Sequence, residues 1–519
     1  MAAPELVAAA RGAIAVGFEG ATAEETQLDA LRGFGGVVLF ARNAGAPEEL
    51  RALVAALRAL GTPPPLIAID QEGGRVARLG SELVPPLPSA MALGAAGDPA
   101  LTERVAASAG AALAGLGISV DFAPVADLAL RPRNAAVGTR AFGDDPARVA
   151  AHAAAFARGL ESSGVAASLK HFPGHGATDD DSHVTLPRVT ATAETLRARD
   201  LVPFARAIAA RDASLVMVAH VVAEAFDARR PATLSPAIVT GLLREELGFE
   251  GVVVTDCLEM DAIARGVGTV RGAVEALAAG ADLLLIGHHV DLADAAARAI
   301  AGAVDAGTIP RARLFEATAR VAALRARYAR NPPARAVDAS APAEAALRAI
   351  TAVRGEPRLR DGKAVTVVSF EGSLADRAAR SGAGGAAAEP PSLSAALRRR
   401  RWKSEIMRVP LAPDAEDLEL LLEHLPRLGD REFVVVTRDA HAVSEQRDAV
   451  ARIVDAVPDA LVVVARGPWD AALWPRARRV VCTYGDGLPA FDACAEVLAG
   501  RAPARGALPV RLGEAAAVR

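Results

Sequence analysis

The sequence predicts an α/β protein, a (β/α)8 TIM-type barrel followed by a smaller open α/β sandwich domain, and three observations carry that prediction. Short β-branched runs alternate with helical periodicity eight times over roughly the first 290 residues. A Pro- and Ala-rich stretch, "ARNPPARAVDASAPAEAA" (329–346), then interrupts the pattern. Beyond it the alternation restarts on a smaller scale. A length of 519 residues exceeds one ordinary domain and suits a barrel plus a partner.

The eight barrel strands are expected in "GAIAVGF" (12–18), "GGVVLF" (35–40), "PLIAID" (65–70), "SVDFAPV" (119–125), "ASLKHF" (167–172), "SLVMVAH" (214–220), "GVVVTD" (251–256) and "DLLLIG" (282–287). Each is a near-continuous apolar run, as a strand buried on both faces requires. Between them, "EELRALVAALRAL" (48–60), "ARVAAHAAAFARGLESS" (147–163) and "SPAIVTGLLREELG" (235–248) carry helical spacing. After the interruption, strands are expected in "AVTVVSF" (364–370), "EFVVVTR" (432–438), "ALVVVAR" (460–466) and "RVVCTYG" (479–485), with "SGAGGAAAEPPS" (381–392) as a mobile surface loop. The expected domains are a catalytic barrel over 1–330, a linker over 331–346 and an accessory domain over 347–519.

Composition narrows the function. The chain is 52% hydrophobic but only 4% aromatic, so Ala, Val and Leu build the core. With 58 basic and 62 acidic residues and a net charge of −4, it lacks the global basic field of a nucleic-acid binder. The run "RRRRWK" (398–403) reads as a solvated helix face. No apolar run is long enough to cross a bilayer, and three cysteines without paired spacing fit a reducing compartment. Glu5 and Arg11 interrupt the stretch that a signal peptide would keep apolar, so a cytoplasmic protein is expected. Oligomeric state is left open.

In such a barrel, polar residues that directly follow an apolar run gather at one rim. Asp70 follows the third run, Lys170 and His171 close the fifth, His220 the sixth and Asp256 the seventh. The loop "KHFPGHGATDDDSH" (170–183) offers two chemistries. His171 and His175 have the spacing of a helical metal-ligand pair, but Pro173 and Gly174 break the helix that would give them a common face. Proton transfer fits better: in "DSH", Asp181 can accept a hydrogen bond from one nitrogen of His183 and leave the other facing substrate. No G-x-S-x-G elbow is present for a serine nucleophile. A nucleophile is best sought in Asp256; Glu259 and Asp261 lie farther along the loop, and Cys257 reads as a packing residue. His288 and His289, in a loop after the eighth run, are left outside the site.

Together, "IDQEGGRVARL" (69–79), "GISVDFAPVADL" (117–128), "NAAVGTRAFGDDP" (134–146), the 170–187 segment and "PATLSPAIVTGLLREELGFEGVVVTDCLEM" (231–260) resemble glycoside hydrolase family 3, within it the bacterial β-N-acetylglucosaminidases of cell-wall recycling. The resemblance implies Asp256 as nucleophile and His183, assisted by Asp181, as general acid/base. It implies Asp70, Arg140, Lys170 and His171 as holders of sugar hydroxyls, joined by Arg78 and His220. Family members commonly read "SDDLSM" where this chain has "TDCLEM", so Cys257 replaces an acid beside the nucleophile. The expected activity is cofactor-free, retaining removal of terminal β-linked GlcNAc from a small carbohydrate or muropeptide. A family 3 phosphorylase, a metal-dependent barrel hydrolase and a non-catalytic sugar-binding module are the alternatives.

Overall fold

The computed structural model describes residues 3–178, 186–329, 336–371, 391–425 and 429–513. Eight parallel strands follow one another around a closed barrel: Ile14–Gly17, Gly36–Leu39, Leu66–Ile69, Val120–Asp121, Ala166–Phe172, Leu215–Val218, Val252–Thr255 and Leu284–Ile286. The first pairs with the eighth through Ile14 and Leu284, and a bridge between Val254 and Leu283 joins the seventh to the eighth. Every residue of these strands is buried, which explains why they read as apolar runs without alternation. The fourth is the shortest. Pro124 has no N–H to give to a ladder, so the expected run over 119–125 pairs only at Val120–Asp121 and again at a bridge between Val125 and Lys170.

Helices return the chain to the bottom of the barrel. Several start where the sequence places Pro in the first turn behind a polar cap: Asp98 accepts from the N–H groups of Ala100 and Leu101 ahead of Pro99–Leu116, and Asp145 from Arg148 ahead of Pro146–Ser162. The helix expected over 235–248 is a π-helix, Ala237–Glu246. No described helix is long and apolar enough to cross a membrane.

Of the stretch read as a linker, residues 331–335 lie outside the described residues and Ser340–Ala349 is a helix. A six-stranded sheet follows, in the order Thr351–Arg354, Arg479–Cys482, Leu461–Val464, Glu432–Thr437, Val365–Glu371, Ser404–Pro410; only the first is antiparallel. Sequence reading missed both edge strands. Most of the expected loop over 381–392 falls outside the described residues. The basic run is tied down: Arg399 and Arg400 pair with Asp492, and Arg400 also with Glu496. One apolar cluster spans both parts of the chain, with Met91, Ala92, Ala95, Val137 and Ala141 of the barrel packed among second-domain residues that include Trp469, Trp474 and Tyr484.

Candidate active site

At the carboxyl ends of the barrel strands lies a cavity of about 390 Å³, lined by Asp70, Arg78, Arg140, Lys170, His171 and Asp256 among others. It thus gathers six of the residues expected at the site. Asp181 and His183 lie outside the described residues.

One wall is a chain of alternating charges. Lys170 Nζ lies 2.8 Å from Asp70 Oδ1 and 2.5 Å from Glu72 Oε1, and Arg140 donates two bonds of 2.8 Å to the Glu72 carboxylate. Arg78 reaches Asp70 Oδ2 at 3.5 Å. Burial acts against the charge on both Glu72 and Lys170, but Arg140 and Lys170 outweigh it for Glu72, and Asp70 and Glu72 outweigh it for Lys170. The carboxyl is held well below its ordinary value, and the amine above. The side chains of Asp70 and Arg140 keep 18% and 17% of their surface exposed whereas Glu72 keeps 6%; all three line the cavity, with Glu72 the most enclosed, held between Lys170 and Arg140.

His171 is oriented from the opposite side. Its Nδ1 lies 2.6 Å from Asp127 Oδ2, and Asp127 also accepts from the backbone N–H groups of His171 and His175. In the neutral ring the proton sits on Nδ1, leaving the Nε2 lone pair toward Arg140 Nη2 at 3.3 Å. His175 Nδ1 lies 3.0 Å from the Thr178 hydroxyl, so the two histidines spaced as metal ligands have other partners. Among the described residues no group of three or more His, Cys, Asp or Glu side chains is arranged to hold a metal ion.

Asp256 stands one residue past the seventh strand. Its N–H donates to Val218 O at 3.0 Å, and its Oδ1 accepts from the Cys257 N–H at 2.7 Å. Burial pushes its carboxyl upward, yet His220, His171, the Cys257 N–H and Lys170 outweigh burial and hold it below the ordinary aspartate value. An ionised carboxylate therefore faces the cavity at neutral pH. His220 does not line the cavity; its Nδ1 lies 2.8 Å from the Thr233 hydroxyl, and its Nε2 lies 2.9 Å from the Cys257 carbonyl, to which it donates. Burial pushes the Cys257 thiol up to about 12, so it is not a thiolate.

Three buried acids escaped sequence reading: Glu72, Asp127 and Asp121. Glu72 stands two residues after Asp70, and strand alternation could have placed both on one face. Asp121 accepts the Gln71 N–H at 2.9 Å but its Oδ2 has no hydrogen-bond partner among the described residues; burial pushes its carboxyl up to about 8. Glu259 and His288 also line the cavity, Glu259 accepting from the His288 N–H at 2.6 Å.

Residues 14–324 match the glycosyl hydrolase family 3 N terminal domain. A beta-hexosaminidase of Stenotrophomonas maltophilia is 45% identical over 274 residues, covering 51% of this chain and 80% of the relative. One of Xylella fastidiosa is 42% identical over 295 residues, covering 55% and 86%. The solved structure of a glycoside hydrolase family 3 beta-N-acetylglucosaminidase from a Paenibacillus species superposes with a TM-score of 0.89 at 34% identity, covering 98% of this chain and 99% of that one.

Proposed function

Because the chain belongs to glycosyl hydrolase family 3, we propose that it is a retaining exo-β-N-acetylglucosaminidase that removes terminal β-linked GlcNAc, in nature from peptidoglycan fragments in the cytoplasm. The observation that carries this reading is the ionised Asp256 carboxylate facing the same cavity as the wall of Asp70, Arg78, Lys170 and Arg140. A carboxylate without a proton attacks carbon, and a wall of fixed donors and acceptors orients the hydroxyls of a sugar. The names of the relatives supply the sugar.

Asp256 attacks the anomeric carbon while the departing oxygen takes a proton from His183, whose ring Asp181 orients. The bond to the aglycone breaks as the glycosyl–Asp256 ester forms. The same imidazole, now neutral, then deprotonates the water that hydrolyses the ester, so configuration is retained over two inversions. Asp70, Arg78, Lys170, Arg140 and His171 hold the sugar ring, and His220 supports the charge on Asp256.

An aryl N-acetyl-β-glucosaminide should be cleaved at least ~10²-fold faster than the matching β-glucoside, because the site fixes the ring before chemistry. A slow fluorinated sugar should label Asp256. Equal rates on the two glycosides would reject the substrate, and a label at another residue would reject the nucleophile. The same assay run with phosphate and with chelator separates hydrolysis from phosphorolysis and from metal-dependent cleavage.

A further inference from the structure

The excursion between the fourth strand and the helix Pro146–Ser162 carries Arg140 and joins the second domain to the barrel site. Ala129, Val137 and Ala141 of this excursion lie in the apolar cluster shared with Trp469 and Tyr484. Farther along, the Asp144 N–H donates to Pro509 O at 3.1 Å and Asp144 Oδ2 accepts the Arg511 N–H at 2.8 Å.

At its tip the excursion meets His441 of the second domain. His441 Nε2 lies 2.9 Å from the Pro132 carbonyl, and its Nδ1 lies 2.7 Å from Asp470 Oδ1. Asp470 is fully buried and also accepts from the Thr437 hydroxyl and the N–H groups of Ala440 and His441. The Trp469 ring packs edge-on against the imidazole, centroids 5.4 Å apart.

Pro132 opens the turn that builds the site. Asn134 N–H closes on Arg131 O, and Asn134 Oδ1 accepts the Val137 N–H. The Asn134 amide donates to the His175 carbonyl at 2.9 Å, and Arg140 donates to the Ala136 carbonyl at 2.5 Å.

We propose that His441 is a positioning residue for the barrel site, fixing the 131–140 turn through the Pro132 carbonyl, and with it the Arg140 guanidinium and the His175 end of the histidine-rich loop. The proposal rests on reading Arg140 as a sugar-binding group. Both ring nitrogens of His441 face acceptors, and only the doubly protonated ring can donate to both. Burial lowers its pKa, but Asp470 and, from the same loop, Asp439 outweigh it and raise it above the ordinary value. On the barrel side Arg131 and Arg133 flank Pro132 and are exposed. The full clamp is therefore present at pH below the raised value and weakens as pH climbs through it.

The test compares His441→Ala and His441→Gln in the full chain. Hydrogen–deuterium exchange over 131–141, which needs no substrate, should accelerate at least tenfold in His441→Ala while peptides from the seventh strand stay unchanged. KM for the aryl N-acetyl-β-glucosaminide should rise about tenfold with kcat within twofold. Glutamine, whose amide can still donate to Pro132, should recover most of both and flatten the alkaline rise in KM. Unchanged exchange in His441→Ala, or an increase spread evenly over the whole chain, would overturn the proposal. A wild-type protein without turnover would reject the glycosidase reading instead, and the exchange measurement would still decide this one.

Discussion

The barrel sheet and the mostly parallel sheet of the second domain each end in a ring of charged residues, and the two rings do different things. In the second sheet the strand order reverses between Val365–Glu371 and Glu432–Thr437, the crevice where open α/β sheets bind ligands. Here the Arg438 side chain fills that crevice, donating to the Ser369 hydroxyl at 3.0 Å, to the Phe370 carbonyl and to Asp486 at 3.1 Å. Arg466 pairs with the same Asp486 at 2.7 Å and with Asp439 at 3.1 Å. These charges satisfy one another. At the barrel mouth, Asp256 stays ionised beside a 390 Å³ cavity, and Asp70 and Arg140 keep part of their surface turned toward it. Position at a strand end does not make a site; bonding capacity left facing an open volume does.

The sharpest way to break this contrast is at Asp256. Asp256→Ala should lower kcat on the order of 10⁵-fold, measured with an aryl N-acetyl-β-glucosaminide, because the attacking group itself is gone. A loss below about tenfold would place the chemistry elsewhere. The next test pairs one residue from each ring. Lys170→Met and Arg438→Met each remove one of two cations from an enclosed carboxylate, Glu72 keeping Arg140 and Asp486 keeping Arg466, so each should lose about 2 kcal/mol of stability in denaturant titration. Only Lys170→Met should lose activity, on the order of 10²-fold in kcat/KM, since only Lys170 stands in the wall that meets substrate. Equal catalytic losses would erase the distinction between the two rings.

The smallest effect concerns Asp121, the acid beneath the barrel wall. Its folded-state carboxyl is raised from 3.8 to about 8. Across that window the folded chain holds a proton that the unfolded chain has released, so this group makes stability fall as pH rises. Asp121→Asn removes the dependence. The variant should gain on the parent in stability as pH rises from 4 to 8.5, and the advantage should vanish near pH 4. A difference that does not change with pH would mean Asp121 is ionised in the folded chain.

The barrel was legible because each strand is a short apolar run, and the third, fifth and seventh runs stop on polar residues that pointed to the rim and to Asp70, Lys170, His171 and Asp256. What the sequence hid was support. Glu72, Asp127 and Asp121 act through Lys170, Arg140, His171 and Gln71, and nothing in a linear pattern says which distant donor a buried acid will meet. His288 reads from sequence as a loop residue outside the site, yet its ring stacks on Phe40 at 5.5 Å and lines the cavity. The edge strand Ser404–Pro410 does not read as an apolar run because only Ser404 and Val409 are buried and Glu405 and Arg408 carry charge, as an edge requires.

The apolar cluster shared by Met91, Ala92, Ala95, Val137 and Ala141 with the second domain bears on how the chain can be divided. The family match ends at residue 324, and that boundary invites a shortened protein. Cutting there would turn the shared cluster into a contiguous greasy face, of the kind that drives self-association and precipitation. The stretch recognised by ancestry is thus not the stretch that would stay dispersed in water, and a preparation meant for crystals or assays should run through Leu512, which still packs against that face.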